Sequence, residues 1–586
     1  MNKSILAILL CIMNQEVKIN KQSRQILFLS ILMSFFLSNV QAQSHQLKEG
    51  EQFHLDTAEV HSYPIHLKDG EYLELFISQK DLDIEISILT KKKDVLHKID
   101  QPDFFYEIEK FKFLSPKNEN YSIQIKANDK TLSGSYRLTH FKIKPATEYS
   151  NFIKKQKEDI SKINKWSKDN LVEIKSTDPL IGFPEIDQFR ERIENCRAIG
   201  LGEATHGTQE EYRYKLKLFK HLVLNYDVKI IAVESSYVGS FATNQYVHGE
   251  IDDINKALSQ FSWPYMNQDI VALLNWMRDY NKKVDASKKV SFYGYDLEGD
   301  RGAIVEISKY VDTYCKNLKP LMDALKQPAE QIHWYTGLYR TLEDSKREEV
   351  ENSWNHILSY LSVNKGMLVS KSSLSEYDFI IECILEVNRN IETSKFWINK
   401  NVNDLDRRDY FMAERTLKII NVEKPDSKIL VTSHNFHILK NPEERANFGK
   451  TPFGAHLAEI LGDKFVNIGL FFSEGKVAAM DHADGNKIKA FEVPKAKYSS
   501  IESIISDGAP DNFLLSLYEL KKEDAIFKLL DSPWETTIAG GGYNPADRYR
   551  VLKSLKRSYD ILLFYRFSTP SVPAAIMKKT FNVGDF

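Results

Sequence analysis

A short apolar run that ends in a glycine-rich turn brings together two side chains that can act on water. The turn reads Gly202-Glu-Ala-Thr-His-Gly-Thr208, so it carries Glu203 and His206. Thr208 is the expected N-cap of the helix that follows. A histidine can take a proton from water near neutral pH, and a carboxylate can hold its ring in one tautomer. The turn therefore predicts general base chemistry at the end of a strand, where α/β proteins place ligands.

The helix predicted after this turn carries a lysine on its apolar side. Tyr212, Leu216 and Phe219 recur at helical spacing and define a stripe that faces a core. Lys215 falls inside that stripe, and a buried ammonium needs a partner or a wet cleft. Glu211 is expected to be one of the acids of the first helical turn. We expect Lys215 to supply positive charge to the site.

Three later apolar runs also end in ionisable side chains. The runs at 228–236, 289–298 and 428–437 deliver Glu234, Asp296, and the pair His434 and His437. Strands that are apolar throughout and alternate with helices predict an α/β fold, with a mostly parallel sheet flanked by helices. The carboxyl ends of its parallel strands meet at one edge, which favours a shared catalytic site. A long helical insertion, at about 303–420, is predicted to form arms over this cleft.

Ester cleavage is the chemistry that these residue types fit best. It needs a base for water, a group that orients the base, and positive charge where the oxyanion develops. His206 is the predicted base, Glu203 or Glu234 its orienter, and Lys215 or His434 the oxyanion partner. Glu203, His206, Glu234 and His434 are also the ligand types of a hydrolytic metal site. A divalent metal ion is therefore the alternative to a site without a cofactor.

Composition and length set the outer limits of the function. The chain has 586 residues, of which 42% are hydrophobic and 27% charged, and its formal net charge is -2. This length predicts two folded domains, and the charge gives no reason to expect a nucleic acid partner. The four cysteines show no Cys-x-x-Cys spacing, so neither a disulfide framework nor a zinc ribbon is predicted.

The first 43 residues have the pattern of a secretory signal peptide. Lys18, Lys21 and Arg24 precede an apolar segment at 26–37, and Val40-x-Ala42 has the small residues of a cleavage site. The apolar segment is short for a membrane span, which needs about 20 residues. The pattern predicts cleavage near Ala42, a secreted or periplasmic protein, and no stable membrane insertion afterwards.

Residues 46–142 differ from the rest of the chain in their pattern of hydrophobic and polar residues. Alternating runs such as Tyr72-Leu-Glu-Leu-Phe-Ile77 and Tyr121-Ser-Ile-Gln-Ile125 predict half-buried strands in a small antiparallel β-sandwich. Their order resembles the bacterial pre-peptidase C-terminal (PPC) domain. A charged stretch at 143–183 is predicted to be a helical linker, and the catalytic domain is expected at 184–575.

Several motifs of the second domain resemble the erythromycin esterase family. They are Gly202-Glu-Ala-Thr-His-Gly-Thr208 with Arg213-x-Lys215, Ala232-Val-Glu-Ser235, Trp263-Pro, Tyr293-Gly-Tyr-Asp296, Arg408-Asp-Tyr-Phe-Met-Ala-Glu414 and Ser433-His-Asn-Phe-His437. They follow one another in the family's order. The resemblance implies an α/β fold shared with ChaN-like and Tiki-like proteins, and hydrolysis of a macrolide lactone in the resistance enzymes.

The resemblance also implies functions for individual residues. It makes His206 the general base and places Glu203, Glu234 and His434 with it as catalytic residues. The residues expected to bind substrate are Lys215, Arg213, Asp296, Arg408 and His437. The partner is then a small-molecule ester or lactone, and the oligomeric state stays open. A metal-dependent hydrolase of the Tiki type and a secreted binding protein without turnover are the alternatives.

The signal peptide gives the first testable prediction. Sequencing the amino terminus of the native protein from its own cell should find a start near Gln43, because cleavage is expected after Ala42. An intact amino terminus on protein recovered from the cytoplasm would contradict it.

Overall fold

A computed structural model describes residues 47–584, apart from short gaps at 57–58, 81, 100–107, 128–132, 298–299, 331–337, 400–406, 424, 426, 445–450, 538 and 544–547. The predicted signal peptide lies outside the described residues. Contacts divide the chain into two units, Met1–Gln156 and Lys157–Phe586. None of the described helices is long and apolar enough to cross a membrane.

The first unit contains eight strands within its described residues. They are β1 (Gln52–Leu55), β2 (Val60–Leu67), β3 (Tyr72–Lys80), β4 (Ile84–Leu89), β5 (Val95–Ile99), β6 (Ile108–Leu114), β7 (Glu119–Ala127) and β8 (Gly134–Lys144). Two antiparallel sheets result, with the orders β1-β8-β3-β6 and β2-β7-β4-β5. Leu73 and Leu75 from one sheet and Ile123 and Ile125 from the other are fully buried in one core. The predicted β-sandwich is confirmed.

The second unit is built on a nine-stranded sheet. Its strands are β9 (Leu171–Glu173), β10 (Ala198–Leu201), β11 (Val228–Ser236), β12 (Ser291–Asp296), β13 (Lys428–Thr432), β14 (Phe465–Asp481), β15 (Lys487–Val493), β16 (Asn512–Ser516) and β19 (Ile561–Ser568), while β17 (Trp534–Thr537) and β18 (Tyr549–Leu552) form a separate hairpin. The order is β12-β11-β13-β10-β14-β19-β16-β9, with β15 on β14. The first six strands of this order run parallel. The predicted mostly parallel sheet is confirmed.

Helices follow most of these strands. They are α1 (Ala146–Asn170), α2 (Arg190–Asn195), α3 (Gln209–Tyr226), α4 (Ser240–His248), α5 (Ile254–Leu258), α6 (Gln268–Asn281), α7 (Asp300–Tyr314), α8 (Lys319–Glu330), α9 (Leu338–Thr341), α10 (Asp344–Val363), α11 (Lys365–Lys371), α12 (Leu374–Asn399), α13 (Arg408–Lys418), α14 (Phe453–Leu461), α15 (Ile501–Ser506), α16 (Ala525–Leu530), α17 (Leu555–Ser558) and α18 (Ala575–Thr580). A π-helical turn, Ile419–Glu423, extends α13. In its described residues, the insertion between β12 and β13 is mostly helical, as predicted.

Both faces of the sheet are covered. Ile230 and Ala232 of β11 belong to one core, and Ile231 and Val233 belong to the other. Because successive side chains of a strand point to opposite faces, an apolar strand of this kind must be buried on both sides. Helices α3 and α6 contribute to the core that contains Ile231 and Val233. Helices α7, α12 and α14 contribute to the core that contains Ile230 and Ala232. In α/β proteins that are covered on both faces, ligands bind at the carboxyl ends of the strands.

The segment expected to be a linker is partly built into the second unit. Helix α1 ends at Asn170, and the next three residues form β9, which pairs with β16 at the edge of the large sheet. Ile163 of α1 is fully buried, and the hydroxyl of Ser167 donates to the carbonyl of Ile505 at 2.8 Å. The contact boundary at Gln156 therefore falls inside the predicted linker, well before residue 184.

Removal of this segment tests its contribution to stability. A fragment that starts at residue 157 should unfold at a clearly higher temperature than one that starts at residue 184, because only the longer one retains Ile163 and β9. Loss of a buried Ile side chain alone costs about 2–5 kcal/mol. Thermal unfolding of both fragments and of the full chain measures the difference. Equal melting temperatures for the two fragments would contradict this prediction.

Candidate active site

The carboxyl ends of four neighbouring strands, β12, β11, β13 and β10, carry six of the nine predicted site residues, while Lys215 and Arg213 lie on α3 and Arg408 begins α13. The turns after β10 and β13 lie in contact, because the amide of Asn435 donates to the carbonyl of Glu203 at 2.7 Å. Gly202 permits this approach: a Cβ atom at that position would lie 1.9 Å from Oδ1 of Asn435. Glycine is therefore required where the two turns meet.

Glu203 and His206 form a hydrogen-bonded pair on the first of these turns. Nδ1 of His206 lies 3.0 Å from Oε2 of Glu203. Since a carboxylate can only accept, Nδ1 carries the hydrogen, and the neutral ring keeps its lone pair on Nε2. The His206 side chain is 17% exposed, whereas Glu203 is fully buried. The more exposed member of the pair therefore has the free basic nitrogen.

Lys215 provides the countercharge for Glu203. Its Nζ lies 2.5 Å from Oε1 of Glu203, and the hydroxyl of Tyr265 donates to the same oxygen at 3.2 Å. The ammonium also lies 4.0 Å from the centre of the Tyr212 ring. Burial would raise the pKa of Glu203, but Lys215 and His206 outweigh it and hold that pKa at about 2. Glu203 is thus a permanent carboxylate at any working pH.

The environment of His206 makes it a stronger base. Burial lowers its pKa, but the hydrogen bond to Glu203 and the negative charge of Glu234 raise it more, so the pKa lies above 6.5. A raised pKa favours proton uptake by Nε2.

His434 has the opposite electrostatic character. Its ring centre lies 5.2 Å from that of His206. Burial and the neighbouring His206 lower its pKa to about 3, so its ring is neutral. Nδ1 accepts from the amide of Phe436 at 3.4 Å, which leaves the hydrogen on Nε2. Nε2 is buried and has no hydrogen-bond partner among the described residues. A free donor therefore lies beside the basic histidine.

Glu234 holds the turn that carries His434. Its Oε2 accepts from the backbone amide of His434 at 2.8 Å, and its Oε1 lies 3.1 Å from the guanidinium of Arg408. Arg408 also bonds Asp296 through Nε at 2.8 Å and through a second nitrogen. Burial would raise the pKa of Glu234, but His437, His206 and Arg408 lower it well below its usual range. Glu234 is therefore ionised and bound to a fixed cation.

His437 lies between two carboxylates. Its Nε2 lies 3.1 Å from Oε1 of Glu234, and its Nδ1 lies 2.8 Å from Oδ2 of Asp409. Asp409 can only accept, so Nδ1 carries a hydrogen, while Nε2 also lies 3.3 Å from a guanidinium nitrogen of Arg408. Oδ2 of Asp409 also accepts from the amide of Phe453 at 2.9 Å. This chain of contacts fixes α13 to the turn after β13.

The structure brings eight of the nine predicted residues together, but not all at the surface. Lys215 and Asp296 were predicted to bind substrate, yet both are fully buried and contact Glu203 and Arg408 instead. Their positions support an indirect effect on the site, through Glu203 for Lys215 and through Arg408 for Asp296. Arg213 lies outside the cluster, because its Nε faces Asp269 at 3.6 Å on another side of α3.

Three residues of the site were missed from the sequence. Tyr265 and Asp409 lie inside motifs that had been recognised, directly after Trp263-Pro and Arg408. Glu211 had a misleading signal, since an acid three residues after a helix N-cap normally faces solvent. Thr208 occupies the N-cap position, but its hydroxyl lies 3.3 Å from that of Tyr565 and makes no capping bond.

The alternative metal site does not fit the donor atoms as they lie. Oε1 of Glu203 is bonded to Lys215, and Glu234 is bonded to Arg408 and to the amide of His434. A metal ion would have to displace these partners. Within the described ranges, no group of three or more His, Cys, Asp or Glu residues has the arrangement of a metal site.

Comparisons with known proteins agree with these motifs. A family model for erythromycin esterase matches residues 223–567, more than half of the chain. The match covers Glu234, Asp296, Arg408 and both histidines after β13, while Glu203, His206 and Lys215 precede it. Erythromycin esterase type II from Escherichia coli is 22% identical over 375 residues, which cover 60% of this chain and 88% of that protein.

Solved structures share the fold. The crystal structure of a Bacillus cereus protein has a TM-score of 0.60 at 20% identity and covers 70% of this chain and 98% of its own. A mutant of the erythromycin esterase EreC, in its open conformation, has a TM-score of 0.53 at 18% identity, with 67% and 97% covered.

A double-mutant cycle tests the buried pair. Lys215→Met should lower the free energy of unfolding by about 3–5 kcal/mol, because it leaves Glu203 as an unpaired buried charge. Adding Glu203→Gln should restore much of that stability, since the second change removes the charge. Denaturant unfolding measures all four proteins.

An exposed lysine provides the control for this cycle. Lys282→Met removes a side chain that is 59% exposed and should change stability by less than about 0.5 kcal/mol. Additive losses in the double variant would show that Lys215 and Glu203 do not depend on each other.

Proposed function

The chain belongs to the erythromycin esterase family of hydrolases, and from this we propose that it cleaves a carboxylic ester or lactone with water activated by His206. One observation carries the proposal. The hydrogen bond from Nδ1 of His206 to Glu203 leaves Nε2 as a free base. Among the four predicted catalytic residues, His206 alone is partly exposed, whereas Glu203, Glu234 and His434 are buried.

The proposed reaction begins with proton transfer from water. Nε2 of His206 takes the proton while the water oxygen forms a bond to the carbonyl carbon of the ester. Glu203 stabilises the imidazolium that results, and Lys215 keeps Glu203 ionised. When the tetrahedral intermediate collapses, its bond to the leaving oxygen breaks, and His206 returns the proton to that oxygen. Acid and alcohol leave, and the base is regenerated.

His434 is the proposed partner of the oxyanion. Its neutral ring has a hydrogen on Nε2, and that atom lacks a partner among the described residues. A preorganised donor in a site with little water stabilises developing negative charge strongly, and loss of one such donor typically costs about 10²–10³ in kcat. Its low pKa supports this function, since the ring donates without carrying a charge of its own.

The proposed substrate is a macrolide lactone. Other lactones and linear esters are tested beside it. The Escherichia coli relative is named an erythromycin esterase, and the donors suit any carboxylic ester. The sequence pattern of the first 43 residues supports a secreted or periplasmic location, where such a substrate would be met.

Replacement of His206 is the direct test. His206→Asn should lower kcat by about 10²–10⁴ with little change in substrate affinity or stability, because only the base is lost. His482→Asn, a change at an exposed histidine far from the cluster in sequence, is the control and should leave the rate unchanged. Hydrolysis of a panel of macrolides, smaller lactones and linear esters measures both.

The pH profile of the same reaction sharpens this test. His206 must be neutral to accept a proton, so activity should rise with pH through a midpoint above 6.5. Turnover should persist in the presence of a chelator. Loss on chelation with recovery on adding zinc or manganese would support the metal-dependent alternative, and no hydrolysis of any panel member would favour a binding protein.

A further inference from the structure

A second carboxylate, Glu211, is buried beside the catalytic pair and has no part in the proposed reaction. It lies in the first turn of α3 and is fully buried. Its Oε1 accepts from the amide of Ala204 at 2.9 Å and from the hydroxyl of Tyr565 at 2.6 Å. Ala204 stands between Glu203 and His206, so Glu211 is bonded to the turn that carries both.

The other oxygen of Glu211 is unusual for a carboxylate. Oε2 is buried and has no hydrogen-bond partner among the described residues. An ionised carboxylate loses its hydration when it is buried and needs donors on both oxygens, so a bare oxygen is costly. A protonated group avoids the charge. Its carbonyl oxygen can still accept the two bonds made by Oε1.

The charges around Glu211 favour the neutral form as well. The groups that face it are Glu203 from the turn, Tyr212 and Lys215 from its own helix, and Tyr565 from β19. Lys215 is the only cation among them, and its Nζ bonds Glu203 at 2.5 Å. Two buried carboxylates that share one ammonium cannot both be ionised cheaply.

We propose that Glu211 is a positioning residue that acts as a neutral carboxylic acid, holding the Glu203–His206 turn through Ala204 while it leaves the charge of Lys215 to Glu203. The expected effect of Glu211 on activity rests on the proposed hydrolase function. Burial and the charge of Glu203 raise the pKa of Glu211, against Tyr565 and Lys215, to about 8. Loss of the proton above that pH adds a second negative charge that competes for Lys215, so activity falls on the alkaline side.

A stability measurement tests the neutral state without any substrate. The pKa of Glu211 is about 8 in the folded chain, against 4.5 for an ordinary glutamate side chain. Between these values the unfolded chain releases this proton and the folded chain keeps it, so the contribution of Glu211 to stability is lost as pH rises. Glu211→Gln has no such proton. The free energy of unfolding of this full-length variant, relative to the parent, should therefore rise between pH 4.5 and about 8 and then level off.

The kinetic test uses two variants of Glu211 and one variant of its hydrogen-bond partner Tyr565. Glu211→Gln keeps an accepting oxygen and should keep kcat/KM near pH 7 within about threefold, while Glu211→Ala should lose about tenfold or more, because the turn shifts. Glu211→Gln should also abolish the alkaline fall in rate and leave the rise due to His206 in place. Tyr565→Phe removes a hydrogen bond that lowers the pKa of Glu211, so it should move the fall to higher pH.

Two results would overturn the proposal. A pH-independent stability difference between Glu211→Gln and the parent would show that Glu211 is ionised in the folded chain at neutral pH. Equal loss of activity in Glu211→Gln and Glu211→Ala would show that its negative charge is needed. If no ester or lactone is hydrolysed at all, the proposed function fails, but the stability comparison still decides the state of Glu211.

Discussion

The buried ion pair of Glu203 and Lys215 is the interaction on which the rest of the site depends. A fully buried carboxylate is stable only with a countercharge, and α3 supplies one from its apolar side. The pair keeps Glu203 ionised, so that it can fix the ring of His206 in one orientation. Neither partner of the pair reaches solvent. In the proposed reaction, activity thus depends on a charge that substrate does not touch, and the packed core sets the basicity of the partly exposed His206.

Two neighbouring histidines illustrate the same control. His206 and His434 lie 5.2 Å apart between ring centres, yet the pKa of His206 is raised and that of His434 is lowered. Each protonated ring would repel the other, so only one of them can be charged. Glu203 bonds the ring of His206, whereas Glu234 bonds the backbone of His434, and Nε2 of the His434 ring has no partner among the described residues. The placement of two carboxylates therefore separates a base from a donor.

Much of this arrangement is predictable from the sequence, for physical reasons. Apolar strands that end in ionisable residues predict the parallel sheet and its functional edge, and a lysine in an apolar helical stripe predicts a buried partner. Periodicity does not say which carboxylates are buried. Glu211 has the pattern of a solvated first-turn acid, and only the packing of β19 over α3 reveals its position. The edge strand β9 was missed because three residues are too short for any alternation to show.

The position of β10 also sets the order in which this molecule can assemble. Its neighbours in the sheet are β13 and β14, so that Ala198 pairs with Ile429 on one side and Phe465 on the other. Contacts between such distant parts of a chain form slowly, because a long loop must close first. During synthesis β10 has neither neighbour until most of the chain has been made. The turn that bears Glu203 and His206 therefore reaches its final form late, and a chain cut short before β14 would contain the proposed catalytic motif but lack the assembled site.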